Sequence, residues 1–157
     1  GSDGHGAWLS EVLTSNGVDI SGCTRSEFPS GQGIVMLDAS GSASSVVVAG
    51  ANSDWPVPSP SKLREILQGA SAVLLQREIP DEINLAVAQA AKAAEVMVIQ
   101  DAGGEDRPIA DALLRAVDVF CPNESELQRL TGMPTSTRQA VLEASRSLRD
   151  RGAKSVL

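Results

Sequence analysis

From Pro60 onward, short apolar runs alternate with amphipathic segments, and this alternation constrains the fold more than any other feature of the chain. Ala72-Val73-Leu74-Leu75 and Val96-Met97-Val98-Ile99 are short apolar runs, and Val117 to Phe120 is a third short run. Such runs read as strands of a covered parallel sheet. Helical stretches lie between them. Leu63, Ile66 and Leu67 mark the first. Pro80 stands where a second can begin, with Ile83, Val87, Ala90, Ala91 and Ala94 as the apolar stripe behind it. Leu113 and Leu114 lie on a third, and Glu124 to Leu130 form a fourth, stopped by Gly132. Ala140, Val141, Ala144 and Leu148 give one more, and Ser155-Val156-Leu157 opens a further strand. Strands alternating with helices predict an α/β fold, a Rossmann-like parallel sheet with flanking helices and right-handed crossovers. Because the chain stops inside that last strand, it reads as truncated there.

Upstream of Pro60 the rhythm differs. Trp8, Leu9, Val12 and Leu13 recur at helical spacing, and Asn16-Gly17 is a C-terminal stop. Gly33 to Leu37 and Ser45 to Val48 read as two strands joined by turn residues Asp38-Ala39-Ser40-Gly41, a β-hairpin. Trp55 to Pro60 is too proline-rich for regular structure. Trp8 and Trp55 read as packing residues.

Composition removes several function classes. A hydrophobic share of 42% over 157 residues fits a folded chain and not a disordered one. A formal charge of −7 disfavours nonspecific binding to nucleic acid or an anionic membrane. No run approaches the ~18 apolar residues of a membrane span. Cys23 and Cys121 are far apart and read as free thiols of a reducing compartment. His5, the single histidine, has no ligand partner nearby and reads as a solvent-facing loop residue. No secretory signal opens the sequence, although it begins at Gly1 and not at Met.

Each expected strand is followed by polar, acidic residues: Gln76-Arg77-Glu78, Gln100-Asp101-Ala102-Gly103-Gly104, and Pro122-Asn123-Glu124-Ser125-Glu126. In open α/β sheets, ligands bind beyond the carboxyl ends of the strands. Glu78, Asp101, Asn123 and Glu126 are therefore expected to converge on one cleft, although loops are polar in any case. Asn123 has other readings. Asn123-Glu124-Ser125 is formally a glycosylation acceptor. Asn123 also suits a helix N-cap with Glu126 at the third position. A cap and an anion site are compatible, because a helix N-terminus attracts anions.

In this order and at these spacings the motifs resemble the ribokinase (PfkB-type) family of sugar kinases, over nearly the whole chain. Gly1-Ser2-Asp3-Gly4-His5-Gly6 is similar to the family's G-x-D-x-x-G segment, and Pro29 to Leu37 to its P-T-G-x-A strand. Ala49-Gly50-Ala51-Asn52 is similar to G-A-N, and Leu74 to Pro80 to L-L-Q-x-E-x-P. Pro122 to Glu126, followed by Leu130-Thr131-Gly132, is similar to P-N-E-x-E and L-T-G. Gln76 to Asp81 and Leu130 to Thr135 look most like plant-type members acting on ribose. The whole chain, 1–157, would be the central part of one α/β domain, with the hairpin at about 30–50 as its lid.

The resemblance implies transfer of the ATP γ-phosphoryl group to the 5-hydroxyl of D-ribose. Glu78 would accept hydrogen bonds from sugar hydroxyls. Asn123 and Asp101 would lie at the nucleotide, and Glu126 would help place Mg²⁺ indirectly. A monovalent cation, K⁺, belongs to the expectation for the full-length protein. The implied partners are a small sugar and ATP, neither nucleic acid nor membrane, with a homodimer contact through the lid hairpin. The implied setting is cytoplasmic, or a plastid if a transit peptide precedes the chain. The family's G-G-x-x-x-N sugar motif and its G-A-G-D motif, which carries the catalytic base, are absent from these residues. Alone, the chain is therefore expected to be inactive. Ser30 replaces the usual Thr. A kinase directed at adenosine or fructose, and a non-catalytic sugar- or nucleotide-binding module, stay open as alternatives.

Overall fold

A computed structural model describes residues 1–41, 43–104 and 107–157. The chain forms two compact units, Gly1–Pro56 and Val57–Leu157. No helix among the described residues is long and apolar enough to cross a membrane.

In the first unit, helix α1 spans Gly4–Ser15 and strands β1 (Gln32–Leu37) and β2 (Ala43–Val48) form an antiparallel hairpin. Asp3 starts α1 by accepting the Gly6 N–H at 2.8 Å. The same carboxylate accepts the Ser30 hydroxyl and the Ser30 N–H, both at 2.7 Å, and so ties the helix start to the segment entering β1. The Ser30 hydroxyl, then the Gly6 and Ser30 N–H groups, hold the Asp3 carboxyl far below its ordinary pKa. His5 lies in the first turn of α1, exposed, and not in a loop, because the Asp3 cap begins the helix one residue earlier. Trp8 and Trp55 are 59% and 45% exposed and so are not the packing residues expected of them. A short 3₁₀ turn covers Gly50–Ser53.

The second unit holds helix α2 (Pro60–Leu67), strand β3 (Ala72–Arg77), helix α3 (Asp81–Ala93), strand β4 (Met97–Gly104), helix α4 (Asp111–Ala116), strand β5 (Val119–Cys121), and helices α5 (Glu124–Thr131) and α6 (Arg138–Asp150). The strands pair in parallel in the order β3-β4-β5, as the alternating pattern predicts. Val156 adds a parallel bridge to Phe120. Capping chemistry sets the helix starts. Ser59 caps α2 ahead of Pro60, and Asp81 and Glu82 in the first turn of α3 favour its positive end.

Burial departs from the expected pattern. Leu75, Val98, Ala102 and Phe120 join Leu113, Leu114, Leu127, Ala144 and Leu148 in one core cluster. These strand residues share one sheet face. The opposite face, with Leu74 at 77% and Met97 at 49% exposure, is open in this structure. Apolar runs carry side chains on both faces, so periodicity cannot tell a face covered within the unit from one that is not.

Candidate active site

The register of the parallel sheet brings the polar strand ends to one edge. Leu75 pairs with Gln100, Gln100 with Phe120, and Asp101 with Cys121. Glu78 therefore leaves β3, Asp101 to Gly104 extend β4, and Asn123 follows β5 on the same side. The pairing slips between Leu75 and Arg77, so that Arg77 meets Gly104 and not Ala102. This bulge turns the end of β4. Gly104 sits at φ +108°, and an added Cβ would lie 2.6 Å from the Arg77 carbonyl carbon and oxygen. Only glycine suits both that dihedral and that approach.

Three carboxylates surround the neighbouring glycine. A Cβ on Gly103 would lie 2.8 Å from Asp101 Oδ1, 3.6 Å from Glu78 Oε1 and 3.7 Å from Glu126 Oε1. Carboxylates from three separate elements thus point at one place beyond the sheet. The Asp101 carboxylate is held by the Gly103 N–H at 2.8 Å. Asn123 and Glu126 form a reciprocal cap on α5. Asn123 Oδ1 accepts the Glu126 N–H at 2.9 Å, and Glu126 Oε2 accepts the Asn123 N–H at 2.9 Å. The helix-cap reading of Asn123 is therefore realised. It leaves Glu126 Oε1 turned toward Gly103. Asn123 also borders a cavity of about 220 Å³ with Pro122, Glu124, Leu127 and Val141. A larger cleft, about 580 Å³, opens at the start of β4 and β5 between Lys92, Met97, Asp118 and Lys154. It lies at the amino ends of the strands, the edge where α/β sheets do not build ligand sites.

Behind Glu78 lies a cluster that the sequence did not single out. Arg77 is fully buried, and its Nε and Nη2 donate to Asp81 at 3.2 and 2.7 Å. Arg107 donates to the same carboxylate from Nε at 3.1 Å and from Nη2 at 3.2 Å. Burial pushes the Asp81 carboxyl up, but the hydrogen bonds and charges of Arg77 and Arg107 outweigh it and hold the group below its ordinary value. Asn84 on α3 adds a hydrogen bond from Nδ2 to the Gln76 carbonyl at 2.7 Å. Arg77 ends a strand and Asp81 begins a helix, so no periodicity in the sequence signals this cluster.

A model of the pfkB family of carbohydrate kinases matches residues 1–157. The chain belongs to this family. It is 44% identical to Arabidopsis thaliana ribokinase, an alignment covering all of this chain and 42% of that protein. A solved structure of Arabidopsis ribokinase complexed with ribose and ATP superposes with a TM-score of 0.89 at 45% identity, covering 100% of this chain and 52% of that one. Thermotoga maritima ribokinase superposes at 0.74 with 27% identity, covering 99% and 50%. The parallel sheet with its separate hairpin is thus the ribokinase-like arrangement. The chain spans about half the length of the family members it matches.

Proposed function

We propose that the protein containing this chain transfers the γ-phosphoryl group of ATP to the 5-hydroxyl of D-ribose, and that this chain supplies part of both substrate sites. The observation that carries the reading is the convergence of Glu78, Asp101 and Glu126 around Gly103 at the carboxyl edge of the sheet. The identity with a ribokinase whose solved complex holds ribose and ATP supports the choice of substrates.

In this reading, the exposed Glu78 carboxylate accepts hydrogen bonds from ribose hydroxyls. Asn123 starts α5, whose N-terminus favours phosphate oxygens, and Asp101 stands beside the phosphates. Three carboxylates in one place repel each other and any polyphosphate, so the arrangement calls for a cation. Mg²⁺ takes oxygen ligands, retains several waters, and uses one or two carboxylates together with substrate phosphates. Among the described residues no three His, Cys, Asp or Glu side chains form a closed metal cage. A cation here would be held largely through water and substrate phosphates, with Glu126 Oε1 and Asp101, which both face Gly103, as its protein oxygens. When bound, it would supply neutralisation of phosphate charge, the kind of electrostatic help on which phosphoryl transfer depends.

The hairpin is the homodimer contact in this proposal. Ile34, Met36, Val46 and Val48 lie on one of its faces and Val35, Leu37 and Val47 on the other, all exposed. A lone two-stranded ribbon with apolar faces gains stability from further cover.

The test is a coupled assay of the full-length protein with ATP against D-ribose, 2-deoxyribose, fructose and adenosine, with the product located by phosphorus NMR. Ribose 5-phosphate as the preferred product supports the proposal. Preference for another acceptor, or binding without turnover, overturns it.

A further inference from the structure

Glu78 is exposed, yet the peptide groups on both sides of it are fixed. Arg107 Nη2 donates to the Arg77 carbonyl at 3.0 Å and to the Ile79 carbonyl at 2.9 Å. These are the residues immediately before and after Glu78. The exchange is mutual, because Arg77 Nη1 donates to the Arg107 carbonyl at 3.2 Å and Arg77 Nη2 to the Pro108 carbonyl at 3.0 Å. Each arginine side chain thus holds the other's backbone, and Asp81 accepts from both. The planar guanidinium suits this work, since its donors sit in a rigid fork that a lysine lacks.

We infer that Arg107 is a positioning residue for Glu78, acting through the Arg77–Asp81–Arg107 clamp to hold the carboxylate where the sugar meets it without touching the sugar itself. The inference rests on Glu78 being a sugar ligand. It gives a role to a cation that sits more than twenty residues from Glu78 in sequence and outside every motif quoted above. A clamp of this kind selects between substrates. It sets the place of one carboxylate at the end of β3, while Asn123 and Glu126 are held by their own cap on α5.

The experiment is a double-mutant cycle in the full-length protein, with Arg107→Ala, Glu78→Ala and the pair assayed while ribose and ATP are varied separately. Arg107→Ala should raise the ribose KM about five- to tenfold, less than loss of the Glu78 carboxylate itself. The KM for ATP and kcat should stay within about twofold, and in the Glu78→Ala background the effect on ribose should vanish. Arg107→Lys, which keeps the charge and loses the fork, should fall between wild type and alanine, and it carries the same comparison if the alanine variant does not fold. A rise in both KM values alike, the same factor with and without Glu78, or no shift at all beside a clear Glu78→Ala effect overturns the clamp. An unchanged ribose KM in Glu78→Ala itself overturns the sugar site, a separate failure.

Discussion

Asn123 and Glu126 close a two-way hydrogen-bonded cap, each side chain accepting the other's backbone N–H at 2.9 Å. Loss of an N-cap side chain costs ~0.5–2 kcal/mol. Asn123→Ala should therefore lower the denaturation midpoint by a corresponding amount, whereas Asn123→Asp, which keeps the acceptor, should restore most of it. Urea unfolding of both variants checks this. An alanine variant as stable as wild type would show that the cap contributes nothing.

Arg77 is fully buried and depends on Asp81 for charge compensation. Removing one partner of a buried pair costs about 3–5 kcal/mol. Asp81 is itself 25% exposed, which places Asp81→Ala toward the lower end, although the loss leaves Arg107 as well as Arg77 without its carboxylate. Denaturant titration measures it, and a loss below ~1 kcal/mol would mark the pair as a surface bridge.

The same carboxylate gives stability a pH dependence of known sign. Its folded-state pKa lies below the ordinary 3.8. The contribution is thus fully present above that value and is lost as pH falls through the lower, folded value. Asp81→Asn should flatten the acid limb of the stability curve below about pH 4. Parallel limbs for variant and wild type would contradict the assignment.

Gly104 and Gly103 should separate stability from activity. Gly104→Ala places a Cβ against the Arg77 backbone at φ +108°, so it should destabilise the fold by roughly 1–3 kcal/mol. Gly103→Ala meets a movable side chain, Asp101, at 2.8 Å. It should leave the melting temperature nearly unchanged while lowering kcat of the full-length protein. Equal melting losses in both variants would show that Asp101 cannot yield.

Much of this site was legible in the residues because its logic is local. Strand ends follow from apolar runs, Asn123 and Glu126 carry their own capping signature, and Pro80 with Asp81 announces α3. The rest depends on pairing across distance. Arg77 reads as an ordinary polar residue after a strand, and its burial rests on Asp81 and on the 107–108 carbonyls, which no periodicity brings near. The slip between Leu75 and Arg77 is a property of two strands together. Which sheet face is covered was equally hidden, since Leu74 and Leu75 are the same residue type and only one is buried.

If the end of β3 serves the sugar and the start of α5 serves the nucleotide, KM for ribose and for ATP should respond separately in the full-length protein carrying Glu78→Ala or Glu126→Ala. A hydrogen bond to a charged group contributes ~1.5–3 kcal/mol, and each ~1.4 kcal/mol is tenfold. Glu78→Ala should raise the ribose KM roughly ten- to a hundredfold with that for ATP nearly unchanged. Glu126→Ala should lower kcat, partly restored by excess Mg²⁺, with little change for ribose. Equal weakening of both substrates by Glu78→Ala, or of neither, would contradict the account.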